Sequence, residues 1–243
     1  MMVPLTRHGW REMLIGSLVL AITAWGLKLV FWPLALICVP VLIWLFAFFR
    51  DPERKIPAEQ HAVVSPADGK VSDITEIGHD ELIGGPAVRV GIFLSVFNVH
   101  VNRCPCDGKV VSVFNKKGKF INAMNHGQAS GQNESNTIVL AEPRGGRNIV
   151  AIKQIVGMIA RRIVCTVVKD EFVERGARIG MIKFGSRTEL TIAQWLEPKI
   201  QVEVGQNVRG AADVIATLGK PIHTEEAAVG EELEPLVPRE TPA

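Results

Sequence analysis

The sequence has no dense run of Lys and Arg; its longest basic cluster is Lys116-Lys117-Gly118-Lys119. With a net charge of +2 and a pI near 8.4, this argues against a nucleic-acid partner and leaves the cluster as a solvated hairpin turn, with contact to anionic lipid as the alternative. Cysteine is sparse: Cys38, Cys104, Cys106 and Cys165. On a strand, Cys104-Pro105-Cys106 would point both thiols to one face. No second Cys/His pair at zinc spacing accompanies it, so no metal site is expected, and reduced thiols in a cytosolic domain are the simpler account. A Gly-x-Ser-x-Gly elbow is missing, as is a long heptad-bearing hairpin. No small-residue cleavage site follows the N-terminal apolar stretch, which counts against a removable signal peptide.

That apolar stretch is the first feature present. Residues 1–12 form a basic, aromatic lead-in, and from Met13 to Phe49 only Lys28 is charged. Pro33 and Pro40 interrupt the run, which predicts a helical hairpin over Met13–Leu27 and Pro33–Phe49, each half short for a full span of about 20 residues. A single span beside an interfacial helix is the alternative. Arg7 and Arg11 precede the run and Arg50, Arg54 and Lys55 follow it, favouring both ends on the cytoplasmic face of a cell membrane. Four of the five tryptophans (Trp10, Trp25, Trp32, Trp44) lie here, as interfacial anchoring requires.

Residues 50–60 read as a charged, proline-bearing linker. From 61 to 222, short β-branched runs are separated by glycine at roughly ten-residue spacing, the pattern of a mainly β sandwich or barrel. One helix is expected around Val156–Arg162. The segments "VVSPADGKVSDI" and "EVGQNVRGAADVIATLG" resemble the two halves of a lipoyl-domain-like hairpin pair. Residues 223–243 are acidic and proline-bearing and are expected to stay disordered.

Four motifs carry chemistry. Gly185-Ser186 sits in "MIKFGSRTEL": glycine leaves its carbonyl open to attack, the serine hydroxyl could reach it, and Lys183 and Arg187 flank it. Ser65-Pro66-Ala67-Asp68-Gly69 is a tight turn that places a carboxylate at a loop tip as a base for Ser186. In "FNVHVNR", Asn98, His100 and Asn102 share one strand face, setting an imidazole where water or ligand can reach it. Gln132-Asn133-Glu134-Ser135-Asn136 closes a polar loop that also holds His126, read as a surface histidine.

Taken in chain order, as Pro-Ala-Asp-Gly, Val-His-Val-Asn-Arg, Asn-Glu and Phe-Gly-Ser, the four motifs resemble the phosphatidylserine decarboxylases, in the short prokaryotic or archaeal-type branch, over about Pro57–Ile215. The resemblance implies self-cleavage between Gly185 and Ser186, assisted by Asp68, and a pyruvoyl group formed from Ser186. Neither metal nor pyridoxal phosphate would be needed. A ketone made from the backbone gives the electron sink that no side chain offers: it would take the substrate amine as a Schiff base, and His100 would protonate the carbon that loses CO2. The substrate would be a phospholipid in the membrane, contacted by Arg103, Asn102, Asn133, Glu134 and Lys183, and the two chains 1–185 and 186–243 would stay associated. Longer members have a second histidine where this chain has Arg103, so their aspartate–histidine–serine triad does not transfer. Either His100 performs both proton transfers, or Asp68 acts on Ser186 directly or through water. Two alternatives belong to other classes: a membrane-anchored adaptor with a lipoyl-like domain, and a membrane-tethered hydrolase using Ser186. The sequence leaves the oligomeric state open, a homo-oligomer included.

Overall fold

A computed structural model describes residues 4–121, 130–143, 146–157, 162–183 and 185–222. The apolar run folds as a hairpin of α1 (Trp10–Val30), a 3-10 segment (Trp32–Ile37) and α2 (Cys38–Phe48). Phe31 adopts an extended conformation and Pro33 opens the 3-10 segment, because proline has no N–H to continue a helix. The first helix is longer than the expected Met13–Leu27. Residues 7–30 form one helical stretch of 24 residues, long and apolar enough to cross a bilayer. Apart from the stripe of Met13 and Leu20 that packs against α2, its large side chains face outward: Leu14, Leu18, Ile22 and Leu29 are all more than half exposed. A helix apolar all round has no aqueous face.

The rest is mostly β. An antiparallel sheet of eight strands, curled on itself, runs in the order β13-β2-β3-β11-β7-β6-β5-β9, its edge strands being β13 (Asn207–Val208) and β9 (Phe172–Val173). Its central strands are β3 (Gly85–Leu94), β11 (Ser186–Ala193) and β7 (Asn148–Val156), and beyond them lie β2 (Gly69–Asp80), β6 (Ser135–Ala141) and β5 (Gly108–Lys116). Two small sheets complete the domain: β4 (Val101–Arg103), β10 (Arg178–Lys183) and β8 (Arg162–Cys165) in the order β4-β10-β8, and β1 (Ala62–Val64), β14 (Val214–Leu218) and β12 (Pro198–Ile200) in the order β1-β14-β12. The two segments likened to lipoyl halves meet, since β1 pairs with β14 and β13 (Asn207–Val208) pairs with β2. The helix expected at Val156–Arg162 is not formed at its ends, which belong to β7 and β8; residues 158–161 lie outside the described residues. A run buried on both faces (Ile149, Val150, Ala151, Ile152, then Ile155 and Val156) carries the strand to Val156 instead.

The main core is aliphatic and includes Ile92, Leu94, Ile138, Leu140, Ile152, Leu190 and Ile192, joined by Cys104 and Cys106. All four cysteines are free, and burial pushes the Cys104 thiol up to about 12. A second cluster joins the hairpin to the β domain: Met13, Leu45, Phe48 and Phe49 pack on Met181 of β10. The ends of the hairpin are zipped together by Thr6 N–H to Phe49 O (2.9 Å) and Asp51 N–H to Pro4 O (2.7 Å). Lys183 donates to Glu12 at 2.6 Å, tying β10 to the first turn of α1.

Candidate active site

The site lies between the small β4-β10-β8 sheet and the centre of the large one. Asn102 of β4 stands opposite Gly180 of β10, while Ile182 N–H bonds to His100 O one step further along. From there β10 passes through residues 184–185 into β11, so Ser186 begins its strand at the His100 end of this layer. Side chains two apart on a strand share a face. Thr188, two residues beyond Ser186, accepts from Asn102 Nδ2 at 3.2 Å, and Asn102 is two residues beyond His100. His100 precedes Asn102, and Ser186 precedes Thr188, by the same two residues, so strand alternation puts each on the face its neighbour uses for that bond.

Gly185 has φ +62°, in the left-handed region that costs glycine nothing. Ser186 and His100 are both fully buried, and among the described residues Ser186 Oγ and His100 Nε2 have no hydrogen-bond partner. Unpaired buried polar atoms are uncommon and need a reason. The imidazole is oriented at its other nitrogen, where Nδ1 donates to Asn98 O at 2.9 Å, leaving the Nε2 lone pair free. Phe48, in the last turn of α2, covers the ring at a centroid distance of 4.3 Å. Burial, assisted by the nearby Arg50 charge, holds the His100 pKa down at about 4, against the pull of the Asn98 carbonyl. The expectation that water reaches this histidine is corrected: β4 is sandwiched between the hairpin and the large sheet, and His100 is 0% exposed.

Asn102 belongs to a buried amide chain. Gln154 Nε2 donates to Asn102 Oδ1 and Asn136 Nδ2 to Gln154 Oε1, both at 2.8 Å, and Asn102 Nδ2 also reaches Pro66 O at 3.4 Å. The network fixes β4 against β7 and β6 and ties it to the 65–69 turn. Gln154 and Thr188 escaped sequence reading; the signal was there, a glutamine inside the apolar run of β7 and a threonine alternating with Ser186.

The other candidates occupy the periphery. Asp68 accepts from Gly210 N–H and from Arg54, both at 2.7 Å, and among the described residues it bonds neither Ser186 nor His100. Burial raises its pKa, opposed by Arg54 and the Gly210 amide. Arg103 forms a buried ion pair with Asp51 at 2.5 Å and donates to Gly176 O and Pro52 O; Asp51 also accepts from Arg178. Asn133 braces its loop, donating to Ile121 O and Val156 O and accepting from Ile121 N–H, and the Glu134 backbone bonds to Lys119 and Val156. Arg187 points to the opposite face of β11, paired with Glu189 at 2.9 Å and Asp73 at 2.6 Å. Gly91 of β3 leaves room for it; an added Cβ there would overlap the guanidinium. His126 lies outside the described residues.

A buried serine after a left-handed glycine, with an imidazole nitrogen unpaired among the described residues at the same end of the layer, is what two of the four motifs, those of Ser186 and His100, form together. The sequence model of the phosphatidylserine decarboxylase family matches residues 41–216, more than half of the chain. The chain belongs to the phosphatidylserine decarboxylase family. It is 44% identical over 214 residues to the phosphatidylserine decarboxylase proenzyme of Rhodopirellula baltica, covering 88% of each chain. Identity to the proenzyme of Syntrophus aciditrophicus is 46% over 181 residues, 74% of this chain and 83% of the relative. For Carboxydothermus hydrogenoformans it is 41% over 213 residues, 86% and 93%. This decarboxylase is therefore a carboxy-lyase made as a zymogen, and the adaptor and hydrolase alternatives fall away.

Proposed function

We propose that the chain cleaves itself between Gly185 and Ser186 and then decarboxylates phosphatidylserine to phosphatidylethanolamine at the cytoplasmic face of a membrane, with residues 13–49 as anchor and 61–222 as catalytic domain. The observation that carries this reading is the pair of buried, unpartnered atoms, Ser186 Oγ and His100 Nε2, beside a glycine at φ +62°.

In the first stage Nε2 takes the proton of Ser186 Oγ, and the oxygen attacks the Gly185 carbonyl carbon. The peptide C–N bond breaks as the ester C–O bond forms, and the amide nitrogen takes up the proton. Loss of the Ser186 Cα proton then expels the ester oxygen from Cβ, leaving Gly185 as a carboxylate terminus. Water replaces the nitrogen of the resulting dehydroalanine, ammonia departs, and residue 186 becomes a pyruvoyl group. Because Nε2 is already neutral and Nδ1–H is held by Asn98 O, the base needs no activating carboxylate. In this chain Asp68 serves as a positioning residue, holding the turn whose Pro66 carbonyl accepts from Asn102 and from Arg103 N–H. Arg103, in the place of a second histidine, anchors β4 to the linker through Asp51.

At residue 186 the pyruvoyl group would supply a carbonyl that holds the substrate amine and takes up the electron pair left when CO2 departs. His100 enters turnover neutral, accepts a proton as the substrate ammonium gives one up, and returns it to the carbon that has lost CO2. Phe48 and the buried sheet keep bulk water from that carbon. Residues 1–185 and 186–243 stay together because β11 is paired to β3 and β7 along its whole length.

Denaturing gel electrophoresis and intact-mass measurement of the purified protein test this. Two fragments ending at 185 and beginning at a borohydride-sensitive residue 186 are expected. A single stable species near 26.6 kDa that still turns over phosphatidylserine would overturn it. Ser186→Ala should stay intact and lose at least about 1,000-fold in activity.

A further inference from the structure

The loop between β3 and β4, Ser95-Val96-Phe97-Asn98, joins the cleavage point to the hairpin. Its turn is self-bonded: Asn98 Oδ1 accepts from Ser95 N–H at 2.9 Å and from Ser95 Oγ at 2.7 Å. One side of it faces inward, where Val96 Cγ1 lies 3.9 Å from the position a Cβ on Gly185 would take. The next residue faces outward. Phe97 is 71% exposed, more than any other large apolar side chain among the described residues that follow the 3-10 segment. A single exposed phenylalanine is ordinary on a soluble surface. This one is fastened to the base of the apolar hairpin: Trp44 Nε1 donates to Val96 O at 3.3 Å and Arg50 Nη2 to Phe97 O at 2.7 Å. An indole and a guanidinium beside a bare aromatic ring, continuous with a helix apolar on all sides, form the combination found at the headgroup level of a membrane.

We infer that the Ser95–Asn98 loop is a second bilayer contact, with Phe97 seated at the boundary of headgroups and acyl chains beside the hairpin, so that residue 186 is held at headgroup depth. This rests on the phospholipid reading given above, and it adds what the hairpin alone cannot do. A hairpin tethers the domain but leaves it free to rock; a second contact, next to the cleavage point, sets which face meets the lipid.

The test uses full-length Phe97→Ser. Cleavage into two chains should remain complete, which serves as the check of folding. Turnover of a water-soluble short-chain phosphatidylserine should match the unmodified enzyme within about twofold, because no bilayer is involved. On phosphatidylcholine vesicles carrying long-chain phosphatidylserine, the KM should rise about tenfold, the scale expected for withdrawing one aromatic side chain from lipid. Phe97→Trp should restore the vesicle KM, and its added fluorescence should be quenched by lipids brominated near the headgroup. Equal loss on both substrates would place the loop in the catalytic site itself and overturn the inference. An unchanged vesicle KM, or a Phe97-dependent dimer in detergent, would also overturn it. If the unmodified enzyme turns over neither substrate, the functional reading itself has failed, a different outcome from any of these.

Discussion

The hairpin and the β domain are turned inside out relative to each other. In the hairpin, apolar side chains such as Leu18, Ile22 and Leu29 stand exposed outside the seam where its helices pack. Between the sheets, Asn102, Gln154, Asn136, His100 and Ser186 are fully buried, with Arg103, Lys183 and Arg187 nearly so. Each arrangement is unfavourable on its own in water. Exposed hydrocarbon is satisfied by lipid, and buried polar groups are satisfied by partners or kept unsatisfied for chemistry. Where the two regions meet, Phe48 lies on His100, so the apolar hairpin also dries the imidazole.

The strongest way to break this comparison is to remove the unsatisfied group. His100→Gln preserves most of the side-chain volume yet loses the basic nitrogen. Self-cleavage, followed on gels after cell-free synthesis, should slow by about 100- to 10,000-fold. Cleavage at the ordinary rate would mean that the orphaned nitrogen is a packing accident. In the unmodified proenzyme the rate should stay level as pH falls from 7, dropping only near pH 4, because the base is already neutral above that value.

Next in size is the seam between the regions. Asp51→Ala strips both Arg103 and Arg178 of their carboxylate, leaving Arg103 buried and uncompensated. Unfolding in denaturant should show a loss of about 3–5 kcal/mol. A loss under 1 kcal/mol would mean that the hairpin and β4 are held together by apolar contact alone.

The smallest effect sharpens the comparison. Phe48→Leu keeps an apolar cover but removes the flat ring, and water should gain partial access to His100, which also feels Arg50. The acid limb of the cleavage rate should move upward from pH 4 by no more than about one unit. Stability should respond with the same sign. Between about pH 4 and the ordinary histidine value of 6.5 the unfolded chain binds a proton that the folded chain refuses, so stability rises with pH across that window. A raised folded pKa narrows the window and flattens the rise, measurable by thermal unfolding at pH 5 against pH 7.

Much of the β architecture was legible because strand periodicity and glycine turns are local properties of the chain. The sites of Ser186, Gly185 and His100 were legible as motifs for the same reason. At the two ends of the helix expected near Val156–Arg162 the chain is strand, and at Val156 β pairing of β7 with β11 overrode a weak local pattern. The water-accessible histidine failed because accessibility depends on what is packed above a strand, and here that is Phe48, some fifty residues earlier in the chain.

The sequence by itself determined the apolar hairpin and the mainly β domain, and it marked the Gly–Ser pair and the histidine as candidates, since each is written in neighbouring residues. Only the tertiary structure decided that Arg103 answers to Asp51 and that Asp68 is tied to Arg54 and Gly210 rather than to Ser186. It also decided that Gln154 and Thr188 brace Asn102. Those pairings join residues far apart along the chain. Which buried charge meets which partner is fixed by the stacking of sheets, where the cost of an unpaired ion selects among contacts that local pattern leaves equivalent.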